Sequence, residues 1–274
     1  MKSKESTMIV NTNTTKQVTV NSVGKAFQIL GCFSVAKPEL TLAQISSTLS
    51  YPKSTALNLI RTLEQCGYLL RTPNGQSYRL GYKILELSYV LRSTLPVVQY
   101  SLPFLEDLQA FTNETIYLTS HINGQVFYLE GIYPSRRMAN YSIAGKTLPM
   151  HCTGCGKAML AYLPLVEQKQ IIQKHGLQRF TDYTITEELK MYDELEEIRK
   201  RGYSIDFQEE TLGVKCIALP ILNSDGYPTA AVSISGTVIN MKDELLIGYA
   251  EMLSRVCNSL SANANLFPAA QALL

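Results

Sequence analysis

The sequence lacks any apolar run approaching the roughly 20 residues needed to cross a bilayer, and its polar first 20 residues contain no signal-peptide core. A membrane partner and export are therefore not expected. It is also poor in paired cysteines: the 6 cysteines include one close pair, Cys152 and Cys155, with no second Cys-x-x-Cys to complete a four-ligand zinc site. In a chain of 274 residues this pattern points to reduced thiols in a cytoplasm, not to a disulfide framework. There is no internal repeat, no low-complexity run and little net charge, +2 overall. With 46% hydrophobic residues, the chain can bury a full core and is expected to form two domains.

That small net charge hides an asymmetry. Residues 22–92 carry eight Lys and Arg against three Glu, a surplus of five, and the preceding arm adds two more. The remainder must therefore be acidic, at −5. A basic end joined to an acidic one suits a nucleic-acid module attached to a domain that does not touch phosphate.

Residues 22–80 have the order of caps, apolar faces and turns of a winged helix-turn-helix. Val23, Ala26, Phe27, Leu30 and Phe33 fall at helical spacing on the first element. Thr41 is an N-cap for a second helix carrying Leu42, Ile45 and Leu49. Pro52 suits the first turn of a third helix, with Ala56, Leu59, Ile60 and Leu63 inward and Gly67 at its end. Two short strands then flank a turn made by Pro73, Asn74 and Gly75. In such a motif the N-terminal end of the second helix meets base edges in the major groove of duplex DNA. Here that end carries Lys53, Ser54 and Thr55, with Asn58 and Arg61 further along; Arg71 and Arg79 on the hairpin are expected at the backbone or minor groove. Two recognition helices are normally needed for two half-sites, so a dimer is expected at least.

A linker helix is expected over residues 82–96, with Ile84, Leu85, Leu87, Val90 and Leu91 as an apolar stripe and Pro96 as its limit. A helix over residues 97–111 should turn Leu102, Leu105 and Leu108 to a core. Beyond Glu114 strands and helices mix. Asn123-Gly124 reads as a hairpin turn, helices are expected at 155–163 and 165–174, and Thr184 with Glu187 suggests a capping box before a helix at 189–201. Strands at 203–209, 216–222 and 229–235 precede a final helix at 242–263, so this domain reads as an antiparallel sheet covered by helices.

These residues resemble the IclR family of bacterial transcriptional regulators. The likeness rests on Pro52-Lys53-Ser54-Thr55, on the stretch from Leu148 through Gly154-Cys155-Gly156-Lys157 to Ala161, and on Arg201-Gly202-Tyr203 through Asp206 and Cys216 to Ser233 and Ser235. The resemblance implies an α+β chain: a disordered arm (1–20), a winged helix-turn-helix (21–81), the linker helix (82–96), a GAF-like effector-binding and oligomerisation domain with an antiparallel sheet (97–265) and a tail (266–274). It implies a homodimer or homotetramer on a palindromic operator, acting as a repressor of a catabolic operon and answering a small carboxylate or sugar-acid effector, with no cofactor. Gly154 and Cys155 would supply amides at a helix start, Asp206 would accept from a ligand hydroxyl, and Cys216, Ser233 and Ser235 would add polar contacts. Met150, Met159 and Tyr133, close to the motifs, are candidates for an apolar wall.

Three other readings start from the same residues. Cys152 and Cys155 stand where small residues are usual in that family, and a helix N-terminus favours thiolate, so a redox or metal sensor using His151 or Cys216 is one alternative. A cysteine-dependent enzyme with His151 as base is another, but no local pattern fixes an orienting third group and no activity is expected. A third is an architectural DNA binder whose second domain only assembles subunits, which would leave Asp206, Ser233 and Ser235 without a purpose.

Overall fold

The computed structural model describes residues 20–135 and 143–267, so nearly all of the expected arm and of the expected tail lies outside the described residues. The chain divides into two compact units, Met1–Ser93 and Thr94–Leu274, a division that falls inside the expected linker segment.

In the first unit, α1 (Asn21–Leu30) leads to β1 (Glu39–Thr41), α2 (Leu42–Leu49) and α3 (Lys53–Gln65). The wing follows as β2 (Leu69–Arg71) and β3 (Ser77–Leu80), and then α4 (Lys83–Thr94). Thr41 caps α2 reciprocally with Gln44, the Thr41 amide donating to Gln44 Oε1 at 2.8 Å. Pro52 sits one position earlier than expected, as the residue that caps α3. Its side of the helix is held by Ala56, Ile60 and Leu63, all buried, with Leu59 partly so. The short strand β1 completes an antiparallel sheet in the order β1-β3-β2, an edge too brief to show in the residue pattern.

The expected apolar face of α1 is corrected by the structure. Ile29 is its one buried residue, with Ala26 and Leu30 packed beside it, while Val23 is 52% and Phe27 65% exposed. Two overlapping apolar stripes exist on this helix, and the one holding Ile29 faces α2 and α3. The expected stripe on α4 is likewise not packed within the unit: no residue of that helix is buried, and Leu85, Leu87 and Tyr89 are exposed.

In the second unit, α5 (Pro96–Thr112) precedes the hairpin of β4 (Thr115–Ile122) and β5 (Gln125–Ile132). Asn123 and Gly124 turn it with φ of 54° and 77°, the left-handed pair that a two-residue hairpin requires. Next come β6 (Thr147–Pro149), α6 (Gly154–Tyr162), α7 (Leu165–His175) and α8 (Glu188–Arg201). β7 (Ser204–Phe207), β8 (Val214–Leu222), β9 (Pro228–Thr237) and α9 (Asp243–Ser261) complete the fold. The strands form one antiparallel sheet in the order β6-β5-β4-β9-β8-β7. Val97, Leu105 and Leu108 of α5 and Leu253 and Leu260 of α9 bury one face of it against Ile116, Ile217, Val232 and Ile234. On the opposite face, Ala158 and Met159 of α6 and Leu195 and Ile198 of α8 pack with Tyr128, Ala218 and Ala231.

The capping box expected at Thr184 does not form. Glu187 caps α8 without a side-chain bond, and the Thr184 hydroxyl instead accepts from the Thr181 amide at 2.9 Å and donates to the Glu209 carbonyl at 2.6 Å. A tertiary contact has taken the oxygen that a local cap would have used.

Candidate functional site

Alternation along β-strands decides which side chains meet, because paired residues on neighbouring strands share a face. Asp206 on β7 pairs with Cys216 on β8, Cys216 with Ser235 on β9, and Ser235 with Thr115 on β4. A row of four polar residues therefore crosses the sheet. One step along, Ala218, Ser233 and Tyr117 make a parallel row on the same face. Since β9 is buried on both sides for most of its length, Ser233 and Ser235 are not an outward polar face. Cys216 Sγ donates to Ser235 Oγ at 3.0 Å.

The start of α6 lies directly above these rows. A Cβ built on Gly154 would be 3.3 Å from Cys216 Cβ and 3.8 Å from Asp206 Cβ, so the helix terminus approaches the sheet as closely as backbone allows. At Gly156 a Cβ would fall 2.4 Å from the Met150 backbone, which makes glycine obligatory in this turn. Thr153 caps the helix, its hydroxyl accepting from the Gly156 amide at 3.3 Å. Among the described residues the amides of Gly154 and Cys155 meet no acceptor, so two backbone donors and the positive end of the helix dipole face the rows.

Between helix start and sheet lies a cavity of about 450 Å³. It brings together Gly154, Cys155, Asp206, Cys216, Ser233 and Ser235, all six residues expected there. It also gathers residues that were not expected there: Glu114, Thr115, Thr153 and Glu210, with Tyr117, Tyr128, Ile143 and Leu148 as apolar wall. Met150 and Met159 are instead sealed in the core beside α8, and Tyr133 stands behind the wall, its ring 6.2 Å from that of Tyr117. Tyr117 and Tyr128 meet edge to face at 5.2 Å.

Asp206 is 4% exposed, and burial pushes its carboxyl up to about 7, helped by the neighbouring Glu209 and Glu210 and opposed by the Glu209 amide and Lys157. Its Oδ1 accepts from the Glu209 amide at 2.8 Å. Glu209 itself turns away from the cavity to Lys157 of α6, Nζ to Oε1 at 2.5 Å, while Lys157 Nζ also lies 3.4 Å from Glu194. This buried ion pair ties α6 to the segment that carries Asp206 and Glu210.

The cysteines do not behave as the helix dipole alone suggests. Burial raises the Cys155 thiol, and Cys152 and Cys216 are raised well above the ordinary range by burial and nearby carboxylates, so thiolate is disfavoured at all three. His151 Nε2 donates to the Gln178 carbonyl at 2.9 Å, and burial lowers its affinity for a proton. All cysteines among the described residues are free, and no group of three or more His, Cys, Asp or Glu there is placed to hold a metal.

In the first unit Lys53, Ser54, Asn58 and Arg61 are exposed and Thr55 is half-buried at the start of α3. The two hairpin arginines separate. Arg79 pairs with Glu39 and Leu70 and is exposed, whereas Arg71 shares the opposite face with Tyr78, donates to its hydroxyl at 2.9 Å and lies 3.5 Å from Glu64.

Comparison with known proteins follows the same division. Residues 22–73 match the model of the IclR helix-turn-helix domain, and residues 90–262 match that of the bacterial transcriptional regulator IclR C-terminal domain. The chain is 30% identical to the HTH-type transcriptional regulator XynR of Escherichia coli over 88% of its own length and 96% of that protein. It is 31% identical to the DNA-binding transcriptional repressor YiaJ of the same organism, over 82% of its own length and 79% of the relative. Among solved structures, that of Thermotoga maritima IclR superposes with a TM-score of 0.67 at 28% identity, covering 89% of this chain and 98% of the other. No helix among the described residues is long and apolar enough to cross a membrane.

Proposed function

Because the chain belongs to the IclR family of bacterial transcriptional regulators, and so is a DNA-binding regulator and not an enzyme, we propose that it represses a catabolic operon from a palindromic operator and is controlled by a small carboxylate or sugar acid. The observation that carries the effector part is the pair of free amides at Gly154 and Cys155 above the polar row of Asp206, Cys216 and Ser235. Backbone donors at a helix start suit a carboxylate, and the row supplies partners for hydroxyl groups. Repression accords with the name of YiaJ. Two copies would pair through the exposed apolar residues of α1 and α4, Val23 and Phe27 with Leu85, Leu87 and Tyr89, which no contact within the unit buries. Effector occupancy then shifts the dimer between forms that fit and do not fit the operator.

The test is operator binding at fixed salt, with DNA from upstream of the chain's own gene, with and without a panel of small carboxylic and sugar acids. Specific binding released by one acid supports the proposal and identifies its ligand. Specific binding that no acid moves rejects the effector assignment. In the same assay Lys53→Ala is expected to weaken binding to all sequences alike and to reduce the slope of log affinity against log salt by about 1, the mark of one lost phosphate contact. An unchanged slope would remove Lys53 from the DNA surface.

A further inference from the structure

The two arginines of the wing stand on opposite faces of its sheet, and their neighbours treat them differently. Arg71 closes β2 on the face that packs against α3, paired across the ladder with Tyr78 of β3, which is buried with Leu40, Ile60 and Leu69. Its Nη2 donates to the Tyr78 hydroxyl at 2.9 Å, and its Nε lies 3.5 Å from Oε1 of Glu64, half-buried one turn beyond Ile60 on α3. One guanidinium therefore joins both strands of the wing to the helix whose first turn carries Lys53, Ser54 and Thr55. Beyond Arg71 the hairpin is closed on itself. The Thr72 amide and hydroxyl donate to the Ser77 carbonyl at 2.9 and 3.0 Å, and the same hydroxyl accepts from the Ser77 amide at 3.2 Å. The turn is thus bound to both strands and moves with them. Arg79 lies on the other face, exposed, and among the described residues no side chain engages it. Its cross-strand neighbour Glu39 is instead bonded by the Ser77 hydroxyl at 3.4 Å.

We propose that Arg71 does not contact DNA but is the positioning residue of the wing, setting with Glu64 and Tyr78 the distance from the hairpin to the recognition helix, while Arg79 is the arginine through which the wing reaches a phosphate. A phosphate drawn towards Arg71 would also meet the Glu64 carboxylate, so this pair offers the duplex little net charge. Arg79 keeps its N–H donors for an acceptor outside the protein. Helix and wing touch one duplex at two places, so their separation must match it. A hairpin that is already fixed at that separation loses less freedom on binding than one that must be ordered by the DNA. Leu69 and Tyr78 hold the base of the wing in the core, and Arg71 is the last side chain before the turn that ties the wing to α3.

The experiment is binding of the full chain to a duplex from upstream of its own gene over a range of salt, with thermal unfolding to show that each variant is folded at the assay temperature. The slope of log affinity against log salt reads phosphate contacts whether or not that fragment holds the operator. Arg79→Ala should reduce the slope by about 1. Arg71→Ala should weaken binding about tenfold, and the double variant should keep the slope of Arg79→Ala alone, because Arg71 acts only through the wing. A double variant whose slope falls by about 2 would make Arg71 a phosphate contact in its own right and overturn the proposal. An unchanged slope for Arg79→Ala, or wild-type affinity for Arg71→Ala, overturns it equally. Glu64→Gln decides the matter if Arg71→Ala does not fold, because the two accounts differ in sign. Removing a negative charge near DNA should tighten binding if charge alone counts, whereas loosening the wing should weaken it by about threefold or more. Tighter or unaltered binding by Glu64→Gln would therefore overturn the positioning role.

Discussion

Lys157→Met is expected to lower stability by about 3–5 kcal/mol, the cost of leaving one partner of a buried ion pair without the other. Lys157 is 1% exposed and Glu209 5% exposed, so water cannot screen the orphaned carboxylate. One oxygen of Glu209 already lacks a hydrogen-bond partner with the lysine in place, and the variant would remove the cation from the other. For a unit of this size the thermal midpoint should fall by roughly 6–20 °C. Glu194 is not stranded in the same way, because Arg201 lies 2.8 Å from it. Lys157→Met combined with Glu209→Leu should recover most of the loss, since well-packed apolar residues often replace a buried pair at little cost. Thermal unfolding of the single and double variants of the full chain decides this. A double variant no more stable than the single one would mean that lost packing, not uncompensated charge, is responsible.

The position of this pair explains what it contributes apart from stability. Lys157 lies one turn into α6, whose first amides face the cavity, and Glu209 follows Asp206 by three residues. The pair therefore fixes the distance between the two walls of the cavity. Gln208, between Asp206 and Glu209, has φ of 59°, a left-handed conformation uncommon for a residue with a side chain, and the tight bend it makes sends Glu209 and Glu210 in different directions.

How much of this was legible in the sequence varied with the range of the interaction that decides it. Local chemistry was readable: Thr41 with Gln44 at α2, the Asn123-Gly124 turn, and the spacing of Ala56, Ile60 and Leu63 on α3 each act within a few residues. Thr184 misled because its local partner, Glu187, lost to the Glu209 carbonyl, 25 residues away. Phe27 misled because periodicity cannot rank two apolar stripes on one helix, and only packing reveals that Ile29 faces inward. The three-residue strands β1 and β6 are too short to show alternation. In the cavity, the two-residue spacing of Ser233 and Ser235 placed them on one face correctly, but their alignment with Cys216, Asp206 and Thr115 is a matter of strand register. Glu114 and Glu210 carried no motif, and an acidic residue without a motif reads as solvated surface. For Cys155 the sequence suggests a helix dipole lowering the thiol, whereas complete burial acts in the opposite direction and prevails.

Asp206→Asn is expected to stabilise the free protein at pH 8 by up to about 4 kcal/mol while weakening its response to the effector. The wild-type carboxyl is held at about 7 in the folded chain, chiefly by burial, against 3.8 when unfolded. As pH rises from about 4 to about 7, the unfolded chain therefore releases a proton that the folded chain retains, and this group's contribution to stability falls throughout that window. Above about 7 both states are ionised and the loss is complete, close to 4 kcal/mol at about 1.4 kcal/mol for each pH unit separating the two states. Asparagine cannot ionise, and its oxygen can still accept from the Glu209 amide as Asp206 Oδ1 does at 2.8 Å. The variant and the wild type should therefore be about equally stable near pH 4 and diverge as pH rises, reaching a difference of roughly 8–16 °C in midpoint by pH 8. Glu209 and Glu114 are also raised by burial, but both are present in the two proteins and cancel in the comparison. Midpoints measured from pH 4 to pH 8 that run parallel would show that Asp206 does not carry this dependence. If they diverge, the wild-type chain keeps at this position a carboxyl that destabilises the empty protein. That is the pattern expected of a residue retained for what it binds, since the amide would serve the fold better. Loss of effector response in the more stable variant would then separate the two roles, because a residue that only supported the fold could not improve stability and impair function at once.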